Sequence, residues 1–156
     1  MAADIISTIQ DPEKPFCLEQ LEVVQEDLVE VRYFKPGDGK TAVPLIQITW
    51  VPTVPNCHLA MTIALSIRAK LAKKLPELGA DLAKCKIEIL VQHQKHDNKE
   101  EIDKQVNDKE RVFAALENPH IRDAIEDLIR MGGSTTESLV AQNLLRASFG
   151  SIVEQF

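Results

Sequence analysis

The stretch Val51-Pro52-Thr53-Val54-Pro55-Asn56-Cys57-His58-Leu59-Ala60 decides the fold, because the period of the chain changes across it. Before it, Leu45 to Val51 alternates: Ile46, Ile48 and Trp50 share one face and Gln47 and Thr49 the other, as in a half-buried strand. After it, Ala60, Ile63, Ala64, Ile67 and Leu71 recur at helical spacing, with Arg68, Lys70, Lys73 and Lys74 mostly off that stripe. A strand therefore ends against proline, and a helix runs from Cys57 to near Pro76. Cys57 stands at the helix N-terminus, where unpaired backbone N–H groups and the positive end of the dipole suit a nucleophile or a soft metal ligand.

Working outward, Leu21, Val23 and Leu28 to Phe34 read as strand, followed by a reversal at Lys35-Pro36-Gly37-Asp38-Gly39. A short helical start at Ile5 to Gln10 is closed by Asp11-Pro12-Glu13-Lys14-Pro15. Downstream, Lys84 to Val91 alternates again, with Cys85, Ile87, Ile89 and Val91 on one face. A charged segment, Gln92 to Glu101, leads into a helical stretch through Leu116. Asn118-Pro119 then offers an N-cap and a first-turn proline for a helix with Ile121, Ile125, Leu128 and Ile129 as its buried stripe. Gly132-Gly133 stops that helix, and Ser134-Thr135-Thr136-Glu137 has the pattern of a capping box ahead of Leu139, Val140, Leu144, Leu145 and Phe149. These elements predict an α+β fold: a small antiparallel or mixed sheet packed by helices, with an additional C-terminal helix. Residues 1–131 form the expected principal domain and 132–156 a C-terminal helical extension.

Composition narrows the function. With 156 residues and 44% apolar content the chain supports one core, while 4% aromatics leaves few stacking surfaces for single-stranded nucleic acid. Eighteen basic against 24 acidic residues give a charge of −6, which repels phosphate backbones and anionic lipid. No signal peptide or membrane span is expected, so the reading is a cytoplasmic protein, with the nucleus also open to it, that binds neither nucleic acid nor membrane. Cys17, Cys57 and Cys85 are an odd count without CxxC spacing, which indicates neither a disulfide framework nor a self-contained zinc knuckle.

Three stretches, in order, carry a resemblance to a known family. The first is Ile9-Gln10-Asp11-Pro12-Glu13-Lys14-Pro15 with Leu18-Glu19-Gln20-Leu21 and Val23-Val24-Gln25-Glu26-Asp27. The second is Pro52-Thr53-Val54-Pro55-Asn56-Cys57 with Leu59-Ala60. The third and most specific is Lys104-Gln105-Val106-Asn107-Asp108-Lys109-Glu110-Arg111-Val112, continuing Ala114-Ala115-Leu116-Glu117-Asn118-Pro119. Together they resemble the cytosolic iron-sulfur assembly component 2 family, which shares its domain with bacterial metal-sulfur cluster assembly proteins, and the resemblance implies an adaptor, not an enzyme, in the targeting machinery that hands iron-sulfur clusters to cytosolic and nuclear apoproteins, beside a β-propeller subunit and a helical-repeat scaffold. It implies that Cys57 is the reactive cysteine. The chain departs from the family at Asn56, where histidine is frequent, and at Gln94-Lys95-His96, which replaces a Gly-Thr-His segment.

Cys57 is accordingly the candidate thiol for a transient iron-sulfur cluster, iron or zinc; its ordinary alternative is a small buried residue at a helix start. His93, His96 and Glu100 carry imidazole and carboxylate groups that bind zinc or iron, and equally suit a solvated loop. Because a cluster prefers four cysteine ligands, one Cys57 per chain needs a partner, a second copy or an external thiol. Thr53, Asn107, Asp108, Lys109, Glu110 and Arg111 are candidates for a partner surface or for bracing the Cys57 loop, the alternative for the run being a capped, solvated helix. Client apoproteins are expected partners, and a homodimer is left open. Two further readings stand: a structural interaction domain without a working thiol, and a cysteine-dependent enzyme with His58 or His96 as base.

Overall fold

The alternation that ends at Val51 is strand β2 (Val43–Trp50), the middle of a three-stranded sheet in a computed structural model that describes residues 2–35, 37, 42–53, 55–131 and 156. On one side β2 pairs antiparallel with β1 (Val29–Phe34), with Val31 opposite Ile46; on the other it pairs parallel with β3 (Lys86–Val91), with Ile48 opposite Ile89. The sheet is therefore mixed. Parallel neighbours need a crossover, and it is supplied by α2 (Cys57–Leu78) and the short α3 (Ala80–Ala83). Ile46, Ile48, Trp50, Ile87, Ile89 and Val91 are buried.

Helix α2 is the centre of the molecule. It touches β3 and the helices α1 (Ala2–Ser7), α4 (Lys99–Asn107) and α6 (Pro119–Met131), and buries Ile63, Ala64, Ile67, Leu71 and Leu75. Enclosure on several sides also buries cations that lie off the apolar stripe: Arg68, Lys70 and Lys73 are all buried. Lys70 Nζ donates to Thr8 Oγ1 at 2.6 Å, one reason its burial is tolerated. Pro76 falls in the last turn, and the helix runs two residues past it.

Two expected elements are divided differently. Leu21 to Val23 is turn, not strand: Val23 N–H donates back to Leu18 C=O at 2.9 Å and Glu22 takes a φ of 56°. The stretch through Leu116 breaks at Asp108, whose extended backbone separates α4 from α5 (Lys109–Glu117). Asp108 Oδ1 accepts from Glu110 and Arg111 N–H at 2.9 and 3.3 Å, so capping of the second helix ends the first. Asn118 caps α6 as its position before Pro119 predicts, accepting from His120 N–H at 3.0 Å. The expected helix after Ser134, with Leu139, Val140, Leu144, Leu145 and Phe149, lies outside the described residues, as do Val54 and most of the reversal after Lys35.

The outer edge of β3 is sealed by side chains. Asn107 Oδ1 accepts from Ile89 N–H at 3.0 Å and its Nδ2 donates to Ile89 C=O at 2.8 Å. Asp103 Oδ1 accepts from Val91 N–H at 2.7 Å, and Arg68 Nη2 donates to Ile87 C=O at 3.0 Å. Helices α4 and α2 thus satisfy backbone groups that an edge strand leaves bare.

Candidate functional site

Parallel pairing of β2 and β3 delivers two loops to the same end of the sheet, one leading to Cys57 and one carrying His93 to Asn98. Gln92 N–H donates to Trp50 C=O at 2.8 Å, which ties the loops together at their roots. Cys57 is the first residue of α2 and is exposed. Asn56 is its N-cap, with Oδ1 accepting from His58 and Leu59 N–H at 2.9 and 3.3 Å. The residue that stands in place of a frequent histidine is thus the one that starts the helix.

Asn98 reaches the sulfur from the other loop. Its Nδ2 donates to Cys57 Sγ at 2.7 Å. Asn98 occupies the N-cap position of α4, yet its side chain makes no capping bond there and turns to Cys57 instead. Beside the pair lies a polar cleft of about 360 Å³ lined by Pro52, Thr53, Pro55, Gln94, His96 and Asn98 among others. Its lining residue Thr53 is held from the N-terminal segment: Asp11, 4% exposed, accepts from Glu13 and Lys14 N–H through Oδ1 and from Thr53 Oγ1 at 3.5 Å through Oδ2. The first two resembling stretches therefore meet in space.

His96 lies on this cleft, half-buried, with Nδ1 accepting from Asn98 N–H at 3.0 Å and Nε2 buried without a partner among the described residues. His93 and Glu100 are exposed around an adjoining hollow of about 460 Å³. Among the described residues, no group of three or more His, Cys, Asp and Glu side chains is placed to hold a metal ion. Gln94, at the place of the family's glycine, takes a φ of 63°, the left-handed region that glycine enters freely.

The run from Asn107 to Arg111 divides by role. Asn107 seals β3 and also accepts from Arg68 Nη2 at 2.9 Å, and Asp108 caps α5. Arg111 Nη1 pairs with Glu101 Oε1 at 3.1 Å across two helices. Glu101, hydrogen-bonded first by Gln105 and then facing Arg111, is held below the usual carboxylate range. Lys109 and Glu110 are exposed.

The other cysteines differ from Cys57. Cys17 is half-buried in an antiparallel bridge to Gln10; Cys85 is fully buried, and burial followed by the charge of Asp81 pushes its thiol up. Cys85 lines an apolar hollow of about 800 Å³ with Val31, Tyr33, Val43 and Leu82, at the far end of the sheet from Cys57. Sequence reasoning missed three residues that build this region: Asn98, Asp11 and Arg68. Asn98 carries a signal only in its position just before a helix, and Asp11 only in its place ahead of Pro12.

Fold and site define a small α+β domain that presents one exposed thiol between two loops at the carboxyl ends of parallel strands. Aligned over 81% of its length, the chain is 42% identical to MIP18 family protein galla-1 of Drosophila melanogaster and 41% identical to MIP18 family protein FAM96A of Dictyostelium discoideum. It is 34% identical, again over 81% of its length, to cytosolic iron-sulfur assembly component 2B of Mus musculus. The matched stretch spans 54%, 88% and 69% of these three proteins, respectively. No protein-family model matches the chain. The chain belongs to the MIP18 family, that of cytosolic iron-sulfur assembly component 2.

Proposed function

We propose that this protein acts in cytosolic iron-sulfur assembly as an adaptor, not an enzyme, delivering clusters to cytosolic and nuclear apoproteins through protein contacts. The observation that carries this reading is its kinship with a protein named cytosolic iron-sulfur assembly component 2B, together with Cys57 exposed on the loop-facing start of α2. No helix among the described residues is long and apolar enough to cross a membrane.

In this reading the cluster is cargo. Cys57 supplies one thiolate to it, or to iron or zinc, and the remaining ligands come from a partner, a client or a second copy. Asn98 positions the sulfur, while Asp11 and Thr53 hold the loop that presents it. His93, His96 and Glu100 line the approach and serve as supplementary ligands. Lys109 and Glu110, exposed between braced neighbours, belong to the face that meets the β-propeller or helical-repeat subunit.

The test is affinity purification of wild-type and Cys57→Ser proteins from eukaryotic cells, with co-purified subunits identified by mass spectrometry and client enzyme activity read in the same extracts. The expected result is propeller and scaffold subunits with both proteins, and active clients with wild type alone. Active clients with Cys57→Ser would leave an interaction domain without a working thiol. Failure of both to recover those subunits would remove the adaptor role.

A further inference from the structure

Strand β1 ends the sheet, and its outer side meets no other strand among the described residues. It pairs with β2 in unbroken register from Val29 to Phe34, so no bulge turns the edge away. Val29-Glu30-Val31-Arg32-Tyr33-Phe34 also contains neither the lysine nor the proline that commonly blunts an edge. Its outward N–H and C=O groups are open to another strand.

The side chains of β1 are under-covered as well. Val29, Val31 and Tyr33 lie opposite Ile48, Ile46 and Pro44, so they share the sheet face that carries the buried Ile46 and Ile48. Yet Val31 is 55% and Tyr33 75% exposed, and both line the apolar hollow with Val43, Leu82 and Cys85. The core face thus continues onto the outermost strand while its cover stops short. On the opposite face stand Glu30 and Arg32, both exposed, with Arg32 Nη2 donating to Glu30 Oε2 at 2.6 Å.

These charges decide what the edge accepts. Residues directly opposite in an antiparallel pair point to the same face, so two copies of β1 related by a two-fold axis align only with some residue opposite itself. Glu30 or Arg32 on the axis sets like charges against each other, and Val29 or Tyr33 on it leaves charges facing apolar residues. With Val31 on the axis, Glu30 faces the second copy's Arg32 and Arg32 its Glu30, while Tyr33 faces Val29. Added to the Arg32–Glu30 pair within each strand, this closes a ring of four alternating charges. On the other face, Val29, Val31 and Tyr33 of both copies make one apolar row beside both hollows. Against an arbitrary strand the two charges oppose pairing; against a second β1 they match.

We infer that β1 is a self-complementary edge that joins two copies of this chain in solution, with Val31 on the two-fold axis. The inference does not rest on the role given to Cys57.

Sedimentation velocity of the full chain over about 1 µM to 0.5 mM reads the association, and a contact this small predicts a Kd of about 10–100 µM. Arg32→Glu sets glutamates against glutamates and Glu30→Arg sets arginines against arginines, so each variant alone should associate at least about tenfold more weakly. Mixed in equal amounts, the two variants match at every charged position and should recover a heterodimer. The double exchange Glu30→Arg with Arg32→Glu should recover the homodimer. Both positions are exposed, and circular dichroism checks that each variant folds. Register is read by mild oxidation in a Cys17→Ser, Cys57→Ser background. Val31→Cys should form an intermolecular disulfide at least about tenfold faster than Phe34→Cys, whose copies would lie about 20 Å apart along the strands. A wild-type chain that stays monomeric over the whole range would overturn the proposal and leave the edge to a strand of another protein. A dimer that neither charge reversal weakens, a mixture no more associated than its components, or Phe34→Cys linking as fast as Val31→Cys would overturn it too.

Discussion

Asn107 and Ile89 face each other as two residues of neighbouring strands do: the carboxamide accepts the Ile89 N–H at 3.0 Å and donates to its C=O at 2.8 Å. A third contact, from Arg68 at 2.9 Å, and a fourth, to Asp103 C=O at 2.8 Å, leave the side chain with four hydrogen bonds. Only a carboxamide offers donor and acceptor in one plane for this arrangement. Asn107→Leu should cost about 3 kcal/mol, the scale of leaving part-buried backbone and guanidinium groups unpaired, read as a lower urea midpoint. The Ile89 amide should lose hydrogen-exchange protection in the same variant. An unchanged midpoint would show the edge groups satisfied by other means.

Asn98 touches Cys57 without capping its own helix. Asn98→Ala should therefore leave stability unchanged within about 0.5 kcal/mol, since no helix cap is lost. Alkylation of Cys57 should speed up about threefold, as the sulfur lone pair is released from a donated hydrogen bond and uncovered. Rates with iodoacetamide at fixed pH measure both effects. A slower reaction would mean that the carboxamide activates the thiol.

Gln94 stores strain in its loop. Gln94→Gly should relieve about 1–2 kcal/mol of left-handed backbone cost and return about half of it as chain entropy, a net gain of about 0.5–1 kcal/mol in thermal unfolding. Glycine at a residue already in an ordinary conformation would destabilise instead.

Asp11 joins the turn after α1 to Thr53. Asp11→Ala should cost about 1–2 kcal/mol through the two N–H groups it caps. Its diagnostic effect is local: proteolysis at the Pro52–Pro55 loop should rise, while Thr53→Ala should raise it less because the 3.5 Å contact is the longer one.

The buried Cys85 thiol predicts an alkaline signature. Its folded pKa lies above the ordinary 9.0, so above pH about 9 the unfolded state releases the proton first, binds fewer protons than the folded state, and stability falls as pH rises. Arg68 opposes this above pH about 10, where the unfolded guanidinium holds its proton longer. The fall therefore shows between about pH 9 and 10, and Cys85→Ala should flatten it. In native protein at neutral pH, thiol reagents should label Cys57 first and reach Cys85 only on unfolding.

The elements legible in the sequence were those with one buried face. Strand alternation in Leu45 to Val51 and Lys84 to Val91, the start of the helix at Cys57 and the cap at Asn118 follow from patterns that one sheet face or one helix stripe imposes. The burial of Arg68 and Lys70 was not legible, because a helix enclosed on several sides buries residues that its stripe leaves out, and cations find their acceptors from distant parts of the chain. Cys57 was legible from its junction. Asn98 and Asp11 were not, since each acts across about forty residues that no local period connects.

The sealed edge of β3 has a consequence for polymerisation. A sheet that recruits strands from other molecules keeps growing only if each newcomer brings a fresh, unpaired edge. Here β1 is the strand whose outer side meets no other among the described residues, and Asn107, Asp103 and Arg68 already occupy the opposite side. Two copies joined through β1 would each turn a closed β3 outward. Strand exchange at this sheet terminates at two chains, and a fibre would first have to strip helix α4 from its place.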